Sequence, residues 1–91
     1  LYVSEHDVKA TAEQTVTGET VADVHFCALS KQYFKFIGNG EPTPLVGMGR
    51  GCFINGSAGL GNSMHLKAVG PIGGNYETQC KMICIKINGG S

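Results

Sequence analysis

The spacing of two cysteines near the end of the chain constrains its fold more than any other feature. Cys80 and Cys84 lie in one apolar run, residues 79–87, which is rich in strand-favouring residues and too short to predict a helix. In an extended strand, residues four apart are separated by roughly 13 Å, at about 3.3 Å per residue. A disulfide requires Cα atoms within about 7 Å. The two cysteines therefore cannot bond each other, and each is expected to pair with Cys27 or Cys52.

Four cysteines can pair in three ways, and this spacing leaves two of them. Either Cys27–Cys80 accompanies Cys52–Cys84, or Cys27–Cys84 accompanies Cys52–Cys80. Each bond would close a loop of roughly 30 or 55 residues and add about 4 kcal/mol in the chain-entropy model. For a single domain spanning residues 1–91, that is a large share of a typical unfolding free energy of about 5–15 kcal/mol.

The cysteines also predict a cellular compartment. An even number of cysteines in a short chain is typical of disulfide-bonded proteins secreted into an oxidising environment. Their separations of 25, 28 and 4 positions do not match the C-x2-C pairs of structural zinc sites, so we expect no metal. The chain begins without methionine or a leader-like segment, which we interpret as a mature or otherwise trimmed product from which any signal peptide has been removed. No run approaches the ~20 apolar residues of a membrane span.

Charge argues against nucleic acid as a partner. The net charge is zero, and the sequence contains no cluster of lysine and arginine. The charges are nevertheless uneven: residues 1–44 carry three lysines against six acidic residues, and residues 45–91 carry four cations against one. This asymmetry predicts attraction between the two halves of the domain.

Glycine-punctuated runs of strand-favouring residues predict the fold class. The runs cover residues 8–16, 21–29, 32–37, 51–54, 63–69 and 79–87. Their number and spacing predict an all-β fold, a small disulfide-stapled sandwich or barrel of five to six strands. Residues 1–7 form an edge strand or a loose arm. The last run is apolar on both faces, which is typical of a central strand covered on both sides.

A helix is the alternative for one of these runs. Thr20 and Asp23 resemble a capping box, and Val21, Val24 and Ala28 recur at helical spacing. A helix near residues 20–31 would make the fold α+β.

Catalysis would have to rely on histidine. His25 and His65 both lie in predicted strands, and together with Lys67 they would supply the acid, base and cation of a small secreted nuclease or hydrolase. Glu19 or Asp23 would complete that acid–base site. No surrounding motif supports this alternative, and the sequence contains neither G-x-S-x-G nor a P-loop. We therefore expect no cofactor and favour a protein that is not an enzyme.

Two loops and one aromatic cluster are the expected binding elements. The segment 38–46 carries two prolines that fix φ, so it can present a stiff recognition surface, and a protease inhibitor presenting residues 41–46 is a further alternative. A second loop, residues 69–76, ends at Tyr76 and is tethered on its C-terminal side by Cys80. A tyrosine–lysine pair lies in the aromatic run 33–36, and its tyrosine could be offered to a partner. The expected binding residues are Tyr33, Lys35, Glu41, Pro42, Pro44, Leu45 and Tyr76.

In size and cysteine usage the chain resembles the small cysteine-containing secreted proteins of filamentous fungi. The resemblance and the loops together favour a secreted, non-enzymatic interaction protein that is effector-like or toxin-like. Such a protein would act in virulence or competition by binding a host or competitor protein, or a cell surface, through its loops.

Overall fold

The computed structural model describes residues 2–38, 50–71 and 75–86, and these parts of the chain contain strands and no helix. The prediction of an all-β fold is therefore confirmed, and the alternative of a helix near residues 20–31 is wrong. The strands are β1 (Tyr2–Ala10), β2 (Thr15–Thr17), β3 (Val21–Ala22), β4 (Phe26–Phe36), β5 (Gly51–Gly56), β6 (Ser63–Val69) and β7 (Tyr76–Lys86).

Sheet A consists of three antiparallel strands in the order β1-β7-β4. The apolar run that contains Cys80 and Cys84 is the central strand β7, as its composition predicts. Among the described residues, both of its neighbours are edge strands, nine and eleven residues long. Of the two expectations for residues 1–7, the edge strand is confirmed, since β1 begins at Tyr2. The predicted strand 8–16 is divided between the end of β1 and β2.

Sheet B is built around β6. β5 pairs with β6 along its whole length, while β2 and β3 pair with the two ends of β6. A strand has only two edges, so β2 and β3 lie end to end on the edge that β5 leaves free. Counted as one interrupted strand they give six strands in all, in agreement with the predicted five to six.

The core lies between the two sheets. Alternate residues of β7 point into it, and residues of β1 on the same face join them. Residues of β3, β5 and β6 supply the opposite wall. The buried apolar residues are Val8, Ala10, Val21, Val24, Cys52, Leu66, Ala68, Val69, Cys80, Met82 and Cys84. The two sheets pack face to face as in a small β-sandwich.

The two disulfides follow one of the two predicted pairings. Cys27 bonds Cys84, and Cys52 bonds Cys80. The first bond joins directly opposite residues of β4 and β7 within sheet A, with Cα atoms 4.1 Å apart. The second crosses the core from sheet B to sheet A, with Cα atoms 5.7 Å apart. The argument from strand spacing is confirmed.

The predicted strand 21–29 is interrupted where the chain passes from sheet B to sheet A. Asp23 has a positive φ of 56°, a conformation that aspartate tolerates better than most residues. Its carboxylate accepts a hydrogen bond from the Gly61 amide at 2.9 Å, which fixes the turn. Beyond the turn, the predicted strands 21–29 and 32–37 merge into β4, which continues through a register shift between Leu29 and Lys31.

Candidate functional sites

The outer face of sheet A is the side of β7 that points away from the core. It carries Gln79, Lys81, Ile83 and Ile85 of β7 together with their partners on β1 and β4. The sequence predicts that β7 is covered on both sides, but the structure leaves Ile83 and Ile85 only half-buried. This prediction is therefore wrong for the outer side, because sheet B covers one face of sheet A and not the other.

A row of apolar side chains crosses one end of this face. Val3, Ile85 and Phe26 occupy the same register on the three strands of sheet A. Val3 is 63% exposed and Phe26 is 56% exposed. Large apolar side chains side by side on three strands form a contiguous exposed patch, a feature that marks interaction surfaces.

Further along the same face, three lysines surround a concavity of about 210 Å³, which we call the basic concavity. Lys9 lies on β1, Lys81 on β7 and Lys31 on β4, and Asp7 is the one acidic residue that the described part of the chain contributes to its lining. The Lys81 ammonium also lies 3.7 Å from a carboxylate oxygen of Glu5. The lining thus carries three positive charges against one negative charge, and Glu5 beside it lies within ion-pair distance of one of the three lysines.

Tyr33 is held beside the basic concavity by neighbours on the same face. The Lys31 ammonium lies 4.8 Å from the centre of the Tyr33 ring, a cation–π contact. The Tyr33 hydroxyl donates to the side-chain oxygen of Gln79, whose amide donates to Glu77 at 2.7 Å. Lys35 lies opposite Glu77. The ring is thereby fixed in place and remains 38% exposed.

A second region lies at the end of the sandwich, where β1 and β7 approach the segment between β2 and β3. This end cleft has a volume of about 430 Å³, and Tyr2, Val21 and Ala22 contribute to its wall. Ser4, His6, Glu19 and Lys86 also line it. Polar side chains of four kinds therefore converge on one partly apolar cavity.

Two hydrogen bonds connect three of these polar side chains. The Ser4 hydroxyl lies 2.8 Å from Nε2 of His6, and Nδ1 of His6 lies 2.9 Å from a carboxylate oxygen of Glu19. Sequence reasoning considered the other two histidines and missed this group. The sequence pattern that could have revealed the group is Ser-x-His within one strand, since side chains two residues apart in a strand point to the same face. Nothing local indicates Glu19, which lies 13 positions beyond His6.

The predicted catalytic residues lie on different sheets. His65 and Lys67 are on β6, opposite Asn55 and Phe53, on the side of sheet B that faces away from the core. The exposed His25 precedes β4, and its backbone amide donates to the Ile85 carbonyl of sheet A at 2.7 Å. A hydrolase that uses both histidines stays a prediction.

The predicted binding residues divide between described and undescribed parts of the chain. Tyr33 and Lys35 share the outer face of sheet A, whereas the ring of Tyr76 contacts Phe36 edge-on with centroids 5.4 Å apart. The remaining predicted binding residues, Glu41, Pro42, Pro44 and Leu45, lie outside the described residues.

Comparison of the chain with protein-family models, curated proteins and solved structures gives no match. Within residues 2–38, 50–71 and 75–86, no helix has the length and apolar character needed to cross a membrane. In the same parts of the chain, no group of three or more histidine, cysteine, aspartate or glutamate side chains is arranged to hold a metal ion.

Proposed function

We propose that this protein is a secreted interaction domain, effector-like or toxin-like, which binds an acidic segment of a partner protein on the outer face of sheet A. The observation that carries the proposal is the basic concavity, where Lys9, Lys31 and Lys81 from three adjacent strands surround one cavity. Lysines placed together repel one another, and a carboxylate from a partner would relieve that repulsion.

The edge strand β4, which contributes Lys31 to the basic concavity, favours a protein segment as the source of that carboxylate. β4 is an eleven-residue edge strand, and an edge strand presents alternate backbone N–H and C=O groups that an added strand can pair with. Phe26 and Tyr33 are exposed along β4 and can serve as apolar and aromatic anchors. An extended peptide could therefore gain backbone hydrogen bonds, apolar contacts and ion pairs in one place.

The charges of β4 indicate the chemistry of the partner. The strand contains Lys31 and Lys35 and no acidic residue. Pairing of β4 with a second copy of itself about Tyr33 would bring Lys31 opposite Lys35, and like charges directly opposite destabilise a strand pair. An extended segment that alternates apolar and acidic residues would contact the exposed apolar side chains of β4 and pair with its lysines.

The disulfides fit the location in this proposal. Two disulfides fit an extracellular protein. The predicted binding residues Glu41, Pro42, Pro44 and Leu45 lie outside the described residues, and binding through them stays a prediction. Inhibition of a protease by residues 41–46 rests on undescribed residues and stays a prediction.

A matched pair of lysine variants tests the proposal. Lys31 and Lys67 each lie over an aromatic ring, Tyr33 on the outer face of sheet A and Phe53 on that of sheet B. A fluorescent peptide of alternating glutamate and valine should bind the wild-type protein, and Lys31→Glu should weaken binding about tenfold, the effect of ~1.4 kcal/mol. Lys67→Glu loses an equivalent cation–π contact and should bind as the wild type does.

Fluorescence anisotropy with two competitors identifies the source of the anionic group. A peptide of alternating lysine and valine should not compete, and inorganic phosphate should compete only weakly because it offers no backbone to β4. Equal weakening by Lys31→Glu and Lys67→Glu would contradict the proposed site. Displacement of the peptide by millimolar phosphate would instead indicate a small-anion site.

A further inference from the structure

We propose that Ser4, His6 and Glu19 form a nucleophilic site that hydrolyses small carboxylic esters in the end cleft. This activity is separate from partner binding, since the end cleft and the basic concavity lie on opposite faces of sheet A. The proposal rests on the connected side chains, on the volume of the cleft and on the nearby cation.

The three side chains stand in the order that an activated serine requires. Ser4 and His6 point to the same face of β1, and the hydroxyl lies 2.8 Å from Nε2 of the imidazole. Glu19, from the segment between β2 and β3, lies 2.9 Å from Nδ1 on the other side of the ring. Nucleophile, base and orienting carboxylate within hydrogen-bonding reach define a triad by geometry, whatever the fold.

The carboxylate determines which nitrogen of His6 can act as the base. Glu19 is an acceptor, so the bond between them places the imidazole proton on Nδ1. Nε2 is then free to accept the hydroxyl proton of Ser4. The His6 side chain is only 13% exposed, whereas that of Glu19 is 74% exposed. The base is therefore held in one orientation and shielded, and the carboxylate acts as a positioning residue.

The end cleft suits a small ester. Its volume of about 430 Å³ falls within the usual range for small-molecule sites, roughly 300–1,000 Å³. Val21 and Ala22 supply apolar wall on the sheet B side. Lys86 pairs with Tyr2, two residue pairs beyond Ser4 in the β1–β7 register, so it lies on the same face and also lines the cleft. Its ammonium supplies the positive charge that a tetrahedral oxyanion needs.

The reaction proceeds in two balanced halves. The Ser4 oxygen attacks the carbonyl carbon while His6 takes its proton. The bond from carbon to the leaving oxygen then breaks, and His6 returns the proton to release the alcohol and leave an acylated serine. Water attacks the acyl carbon with His6 as base. The Ser4 oxygen leaves and regains the proton, which releases the carboxylic acid.

Covalent labelling tests the site in the folded protein. A fluorophosphonate probe should add one mass equivalent at Ser4, located by peptide mapping, and p-nitrophenyl acetate should be hydrolysed. Ser4→Ala should abolish both signals. His6→Gln should slow both by roughly 100-fold or more, the typical contribution of a general base. His65→Gln, a half-buried histidine on sheet B, is the matched control and should react as the wild type does.

Circular dichroism verifies that each variant is folded. If His6→Gln does not fold, Glu19→Gln replaces it as the test of the triad. This exposed substitution should lower kcat for p-nitrophenyl acetate at least tenfold with KM unchanged, a split that a general loss of structure would not produce. No labelling of the folded wild-type protein would overturn the proposal, as would equal labelling of Ser4→Ala. Peptide binding at the basic concavity is unaffected in either case, so the two proposals fail independently.

Discussion

At the scale of single residues, strand alternation determines which side chains meet. Ser4 and His6 are two positions apart and share the inner face of β1, whereas Glu5 between them points to the outer face and contacts Lys81. Alternation is visible in the sequence, so this part of the end cleft was predictable. Glu19 was not, because its position depends on the turn after β1 and on the pairing of β2 with β6.

Glycine backbone conformation gives a prediction at the same scale. Gly56 ends β5 and Gly61 lies in the connection to β6, with φ of 107° and 78° respectively. A methyl group on Gly56 would collide with the Ser63 carbonyl oxygen, whereas one on Gly61 would meet nothing within 4 Å. Gly61→Ala should therefore lower the unfolding free energy by about 1–2 kcal/mol, the cost of positive φ alone.

Gly56→Ala should lower it by about 1–3 kcal/mol more, because the two strands must move apart to relieve the collision. Urea denaturation of both variants measures the difference. Equal losses would show that the hairpin absorbs the methyl group without cost. The Asn55-Gly56 pair lies at the end of β5. The connection from there to β6 is longer than the two-residue turn that is typical of Asn-Gly pairs.

At the scale of elements, β7 organises the molecule. It pairs with β1 and β4, and it receives both disulfides on its inner face. Its central position was predictable because the run is apolar on both faces, and its two distant disulfide partners were predictable because its cysteines are too far apart to bond each other. The merging of two predicted runs into β4 was not predictable, since the bulge between Leu29 and Lys31 depends on pairing with a distant strand.

The two disulfides give a prediction about how the sheets hold together. The loop closed by Cys27–Cys84 encloses the one closed by Cys52–Cys80, and their sequence separations are 57 and 28 residues. With the inner bond intact, the outer bond closes a path of roughly 30 residues. Each bond should therefore contribute a similar amount, about 4 kcal/mol before strain is subtracted.

Paired serine variants test this expectation. Cys27→Ser with Cys84→Ser, and Cys52→Ser with Cys80→Ser, should each lower the unfolding free energy by about 2–5 kcal/mol. Full reduction should then remove most of an unfolding free energy that is typically about 5–15 kcal/mol, and the melting temperature should fall sharply. A reduced protein that melts within a few degrees of the oxidised one would show that the core suffices alone.

At the scale of the whole molecule, the two sides of sheet A have different environments. The inner side packs on sheet B and ends in the cleft that contains Ser4 and His6. The outer side carries the apolar row and the basic concavity. The sequence predicts strands, disulfides and compartment, because these follow from spacing and composition. The basic concavity was not predictable, because Lys9, Lys31 and Lys81 are brought together only by the strand order of sheet A.

Amide hydrogen exchange on addition of the acidic peptide is the most direct test of the proposed binding surface. We predict that exchange slows in Phe26–Phe36, where strand addition would pair amides that point away from β7. The edge strand of sheet B, Gly51–Gly56, is the internal control and should be unchanged. Protection of Gly51–Gly56, or bound peptide with no protection of Phe26–Phe36, would contradict the proposal that the protein binds its partner along β4.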